Sequence, residues 1–242
     1  MKQFKQIVIV ILSILLLSCS SDETASEIPA APITPLTGSI KYLALGDSYT
    51  VGQSVCETCG FPEQLKSSLK AIYPQTSFSL KIIATTGWTT TNLISAINTQ
   101  NPDPVYDIVT LLIGVNNQYQ GKSFSIYEKE FPELVNKAIV LAKGNKKRVV
   151  VISIPDYAYT RFGKVQMEGE GERISSEINQ YNSFAENYCK LNNIVFVSIT
   201  DISRQGLDNP DLVATDGLHP SAKAYTLYAE RILPKIRVAL ED

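Results

Sequence analysis

Apolar, β-branched runs recur along the chain from Ser39 onward, at residues 40–45 (IKYLAL), 78–84 (FSLKIIA), 106–113 (YDIVTLLI), 148–154 (RVVVISI) and 194–199 (IVFVSI). Each is short and bounded by turn residues, as a strand should be. Between them, over 61–73, 89–98, 125–143, 172–192 and 222–240, apolar residues return at spacings of three and four, the period of a helix with one buried face. Five near-continuous apolar strands alternating with five helices predict an α/β domain, a parallel sheet covered by helices on both faces. In such a sheet ligands bind just beyond the carboxyl ends of the strands. Polar residues at those points are therefore the candidates for chemistry.

The first 38 residues break the pattern. Lys2 and Lys5 precede an apolar stretch, Ile7 to Leu17 with Ser13 inside it, that is shorter than the about 20 residues of a comfortable bilayer span. It reads as the h-region of a signal peptide over residues 1–18. Its end, Leu16-Leu17-Ser18-Cys19, resembles a bacterial lipobox. That resemblance implies lipidation of Cys19 and a protein of the bacterial cell envelope, anchored to the outer membrane and facing either the periplasm or the surface. An ordinary signal peptide and a short uncleaved anchor are the alternatives. Residues 19–38 are rich in Ser, Pro, Ala and Thr, carry Asp22, Glu23 and Glu27, and predict a flexible tether. Residues 39–242 remain as one folded domain.

Composition narrows the function classes. A chain of 242 residues, 44% hydrophobic and 9% aromatic, can bury one substantial core and is short for two. Its 22 basic and 24 acidic residues leave a net charge of -2, which offers no electrostatic footprint for nucleic acid. Lys146-Lys147-Arg148 reads as a solvated corner between helix and strand. No G-x-G-x-x-G follows a strand and no zinc ligand set is present, so no cofactor and no metal are expected. A monomer is the default.

Four polar segments fall after strands or before the last helix: Gly46-Asp47-Ser48, Thr85-Thr86-Gly87-Trp88, Gly114-Val115-Asn116-Asn117 and Asp216-Gly217-Leu218-His219-Pro220. The elbow pattern G-x-S-x-G is absent, because Gly46 stands two before Ser48 but Thr50 stands two after it. The chain has only one histidine. If a serine is the nucleophile and imidazole its base, the base is His219. Asp216 reaches the second ring nitrogen if the residues between form a tight turn, which Gly217 eases. Pro220 suits the first turn of the following helix. Donors for an oxyanion are the N–H groups of Ser48 and Gly87 and the side chain of Asn116. Each of these residues taken alone also reads as a turn former or helix cap.

Taken together, Gly46-Asp47-Ser48 with Tyr49-Thr50-Val51-Gly52, then Gly87, Gly114-x-Asn116 and Asp216-x-x-His219 resemble, in order and spacing, the four blocks of the SGNH, or GDSL-type, hydrolases. The likeness runs from Ile40 to about Leu233. It implies a three-layer α/β/α sandwich with a five-stranded parallel sheet, the flavodoxin-like SGNH fold. It also implies a serine esterase with Ser48 as nucleophile, His219 as base, Asp216 as its orienting acid, and Ser48, Gly87 and Asn116 as oxyanion hole. The family's third block usually reads Gly-x-Asn-Asp, and Asn117 departs from it. Asp47 is expected to hold the nucleophile loop by hydrogen bonds.

Three features bear on environment and substrate. Cys56-Glu57-Thr58-Cys59 in an exported chain allows a local disulfide bracing the loop beside the site, with free thiols or a redox pair as alternatives. Cys189 lies in a helical stretch and reads as a core thiol. Residues 155–162 bring aromatics to the crevice, Met167 to Glu172 (MEGEGE) reads as a mobile acidic loop, and Trp88 and the tyrosines either stack on a sugar or pack the loop. With no long apolar lid, a small-molecule or glycan ester with a short acyl group such as acetyl is the expected substrate. Lysophospholipid or thioester hydrolysis and an inactive surface glycan-binding lipoprotein are the alternatives.

Overall fold

A computed structural model of the chain describes residues 36–241. Cys19 and the stretches read above as a signal peptide and a tether, up to residue 35, lie outside the described residues. The elements follow in the order β1 (Gly38–Gly46), α1 (Ser48–Val51), α2 (Phe61–Ile72), β2 (Thr76–Ala84), α3 (Thr90–Gln100), β3 (Ile108–Leu112), α4 (Val115–Tyr119), α5 (Phe124–Leu141), β4 (Val149–Ile152), α6 (Arg161–Gln166), α7 (Gly171–Asn192), β5 (Val195–Val197), α8 (Thr200–Ser203) and α9 (Ala222–Glu241).

All five strands are parallel and lie in the order β2-β1-β3-β4-β5. The apolar runs explain which strands are central. Strands β3 and β4 and the second half of β1 are wholly buried, whereas β2, at an edge, is buried only at Thr76 and Ile83 and is otherwise half-buried or exposed. The connection from β1 to β2 runs one way across the sheet and the next three run the other way. Right-handed crossovers therefore put α2 on one face and α3, α5 and α7 on the opposite one. Packing follows this division, with α9 lying along α2 and α5 touching both α3 and α7. The strand order reverses between β1 and β3, so a crevice opens at the carboxyl ends of those two strands.

Each helix buries the face its spacing marked. In α2 the buried residues are Phe61, Pro62, Leu65 and Leu69; in α7 they are Ile174, Ile178, Tyr181, Ala185 and Cys189. Burial pushes the Cys189 thiol up to about 12, so it behaves as a small apolar group. Between α5 and α7 the rings of Tyr127 and Tyr181 lie 4.6 Å apart and those of Phe124 and Tyr181 4.9 Å, pairs worth about 0.5–1.5 kcal/mol each beyond area burial.

Three local expectations need correction. The last strand is shorter than its apolar run because Ile199 turns into α8, its N–H donating to Ser153 Oγ at 2.8 Å. Residues 167–172 are the turn that opens α7: Gly171 and Glu172 already belong to the helix, and Arg173 bridges Glu170 and Glu177. Pro220 precedes the last helix and bridges Val213, while Ser221 meets the first turn through a bond from Ala224 N–H to its Oγ.

Candidate active site

The first strand delivers its serine through a turn that has no spare volume. A Cβ on Gly46 would come within 2.1 Å of Thr50 Oγ1 and 2.4 Å of the Leu112 carbonyl oxygen on β3. Asp47 follows, wholly buried, and its Oδ1 accepts from Tyr49 N–H at 3.1 Å, which caps α1. Burial raises the Asp47 carboxyl to about 7, against the lowering effect of that hydrogen bond. Asp47 thus holds the turn, as expected. Ser48 begins α1, and among the described residues its hydroxyl makes no hydrogen bond.

The second and third segments are tied to each other. Gly87 is left-handed at φ 84, and no atom lies within 4 Å of where its Cβ would be, so substrate can approach the chain there. Its N–H has no acceptor among the described residues. Two side chains, from α4 and from the residue that caps its end, hold this turn: Asn116 Nδ2 donates to the Trp88 carbonyl at 3.0 Å and Gln120 Nε2 to the Gly87 carbonyl at 2.9 Å. An amide nitrogen carries two hydrogens, so Asn116 keeps one for a ligand.

The fourth segment closes on itself. Gly217 is left-handed at φ 76, its N–H donates to Ala214, and Ala214 N–H donates to the His219 carbonyl at 2.7 Å. That turn folds Asp216 back onto His219. Asp216 Oδ2 lies 2.6 Å from His219 Nδ1, and Oδ1 accepts from the N–H groups of Leu218 and His219 at 2.9 and 3.0 Å. A fourth donor, which no local pattern pointed to, is Ser54 Oγ, 2.6 Å from Oδ2. Burial pushes the Asp216 carboxyl up, but the bonds from Ser54, His219 and the two backbone groups outweigh it and hold it at about 2. Ionised at neutral pH, Asp216 can only accept. His219 Nδ1 therefore carries the proton and Nε2 is left as an acceptor.

Ser48, Gly87, Asn116 and His219 line one cavity of about 230 Å³. Its far wall is apolar and aromatic, built from Val115, Tyr119, Tyr157, Phe162 and Leu218. The Tyr119 ring stands edge-on to Tyr157 at 5.8 Å and tilted to Phe162 at 6.1 Å. Of the two readings open for Trp88, packing is the one observed: its ring packs against the core and does not line the cavity, and its carbonyl accepts from Asn116. Cys56 and Cys59 are disulfide-bonded in the loop that leads from α1 to α2.

The profile of the GDSL-like Lipase/Acylhydrolase family matches residues 44–227. The chain belongs to this family. Its match contains Ser48 near one end and His219 near the other, the two side chains that the fold brings to one cavity. Solved structures show the same fold as this GDSL-family acylhydrolase. A lipolytic G-D-S-L protein from Veillonella parvula is 18% identical, covers 81% of this chain and 97% of its own, and has a TM-score of 0.62. The acetylxylan esterase Axe2 from Geobacillus stearothermophilus is 19% identical over 84% of this chain and 96% of its own, TM-score 0.56. The psychrotrophic esterase EstA from Pseudoalteromonas sp. is 19% identical over 84% and 99%, TM-score 0.58. Among curated proteins none matches the chain.

The departure of this GDSL hydrolase from its family's third block has a physical rationale. Asn117 is fully buried; its Oδ1 accepts from Thr90 N–H at 2.9 Å and its Nδ2 donates to Thr90 Oγ1 at 2.6 Å. The threonine hydroxyl is thereby free to donate onward to Glu130. An aspartate would claim the hydroxyl proton for itself and leave two carboxylates around one donor. Asn117 and Glu130 form a matched pair that ties the start of α3 to α4 and α5.

Proposed function

We propose that this acylhydrolase cleaves esters through an acyl-enzyme on Ser48, with a short acyl group such as acetyl on a sugar hydroxyl as substrate. The meeting of Ser48, Gly87, Asn116 and His219 on one cavity, with Asp216 directly behind His219, carries the reading. His219 Nε2 takes the Ser48 proton as Oγ attacks the carbonyl carbon. Negative charge on the carbonyl oxygen falls between the N–H groups of Ser48 and Gly87 and the spare N–H of Asn116. Collapse expels the alcohol, which takes its proton from His219, and water then repeats the sequence to release the acid.

Cavity size supports a short acyl group. At about 230 Å³ it lies below the roughly 300–1,000 Å³ of pockets that enclose a drug-sized ligand. The fold shared with an acetylxylan esterase supports acetyl on a glycan. In the same proposal Cys19 carries a lipid and residues 19–38 tether the domain to a bacterial outer membrane.

A series of p-nitrophenyl esters from acetyl to dodecanoyl tests the substrate assignment. An open apolar groove would add about 0.8 kcal/mol, or fourfold in kcat/KM, per methylene. A closed wall at Tyr157 and Phe162 should instead give a maximum at acetyl to butyryl and a fall of about tenfold or more by octanoyl. A kcat/KM that climbs through decanoyl would replace the short-acyl assignment by a lipid acylhydrolase.

A further inference from the structure

We propose that Ser54 is a positioning residue for the catalytic acid, holding the Asp216 carboxylate in the plane from which it orients His219; this rests on the triad assigned above. Ser54 is separated from Asp216 by 162 positions, yet its Oγ lies 2.6 Å from Oδ2, the same oxygen that His219 Nδ1 meets at 2.6 Å. Oδ1 is already saturated by two backbone N–H groups. Those bonds fix one end of the carboxylate. The Ser54 hydroxyl fixes rotation of the other end, about which the imidazole swings.

The backbone around Ser54 shows that its place is imposed. Ser54 is left-handed at φ 68, a region that non-glycine residues rarely adopt and that collects at functional positions. The loop that imposes it is closed at several points. Gly52 lies against Gly60, so that a Cβ on Gly52 would sit 3.2 Å from Gly60 Cα. Val55 N–H donates to the Gly52 carbonyl and the disulfide closes the next turn. The neighbouring Gln53 accepts from Thr86 Oγ1 at 2.7 Å, so one loop touches both the acid turn and the Gly87 turn.

Ser54→Gly separates the hydroxyl from the backbone, because glycine accepts φ 68 better than serine does. In the full chain it should leave the melting temperature unchanged or higher. It should lower kcat toward p-nitrophenyl acetate about tenfold, as loss of one hydrogen bond to a charged group partly replaced by water, with KM nearly constant. The carboxylate charge, no longer shared with the hydroxyl, should hold the protonated imidazole more tightly. The acid limb of the kcat/KM profile should then move to higher pH by about 0.3 unit or more. Ser54→Ala should match it in kcat. In an Asp216→Asn background, itself reduced by about 10³- to 10⁴-fold, Ser54→Gly should change kcat less than about twofold.

Wild-type kcat and pH profile in Ser54→Gly, with Asp216→Asn impaired, would overturn the role of Ser54 alone. A full tenfold loss retained in the Asp216→Asn background would do the same. Wild-type activity in Asp216→Asn would overturn the inference together with the triad on which it rests.

Discussion

His219→Ala is expected to lower kcat toward p-nitrophenyl acetate by about 10⁴- to 10⁶-fold with little change in KM. The size of the loss follows from the absence of any substitute. His219 is the only histidine of the chain. Of the nearby carboxylates, Asp216 is held at a pKa of about 2 and lies behind the ring, and Asp47, although raised to about 7, is wholly buried with one oxygen capping α1 and does not line the cavity. Neither can take the proton that Ser48 must release. Ser48→Ala should lose a comparable factor. Because nucleophile and base act as a unit, the double variant should be no worse than either single one. Steady-state kinetics of the three variants against wild type check this, and a His219→Ala enzyme within about tenfold of wild type would remove His219 from its role.

Gly46→Ala should cost about 3 kcal/mol or more of stability, roughly 6–12 °C in melting temperature for a domain of this size. The cause is steric. Thr50 is fully buried and cannot swing its side chain into solvent, and the Leu112 oxygen belongs to β3, whose register against β1 pairs Gly46 with Leu112. The added methyl must push apart the central strand β3 and its inner neighbour β1. Gly87→Ala is the contrasting case. No atom lies within 4 Å of its missing Cβ, so that variant should stay folded, losing only about 1–2 kcal/mol to the left-handed φ of 84, while the methyl intrudes on the cavity and lowers kcat/KM. Thermal and urea unfolding distinguish the two, and an unperturbed Gly46→Ala would show that the turn before Ser48 has slack.

Much of this architecture is legible in the sequence because it is local. Each strand, of three to nine residues, sits on a short apolar run and each long helix repeats at three and four, so their existence and type follow from the pattern alone. Helices α1 and α4, of four and five residues, are too short to carry a period and leave no such trace. Strand order is likewise absent from local pattern; the placement of β1 between β2 and β3 comes from crossover handedness and packing.

The same distinction sorts the site residues. Ser48, Gly87, Asn116, Asp216 and His219 stand just beyond strands or before the last helix, where an α/β sheet collects its chemistry. Ser54 and Gln120 act on residues 162 and 33 positions away, and neither belongs to a short motif that could mark it. Trp88 shows where local pattern leaves two roles open: beside a candidate glycine a tryptophan can meet a ligand or pack, and its ring packs against the core while Tyr119, Tyr157 and Phe162 face the cavity.

The most direct test of Ser48 as nucleophile is to treat the protein with a fluorophosphonate probe and map the adduct by digestion and mass spectrometry. One adduct on Ser48 is expected, absent in Ser48→Ala and formed about 10³-fold or more slowly in His219→Ala. An active enzyme that takes no label, or takes it on another residue, would contradict the assignment.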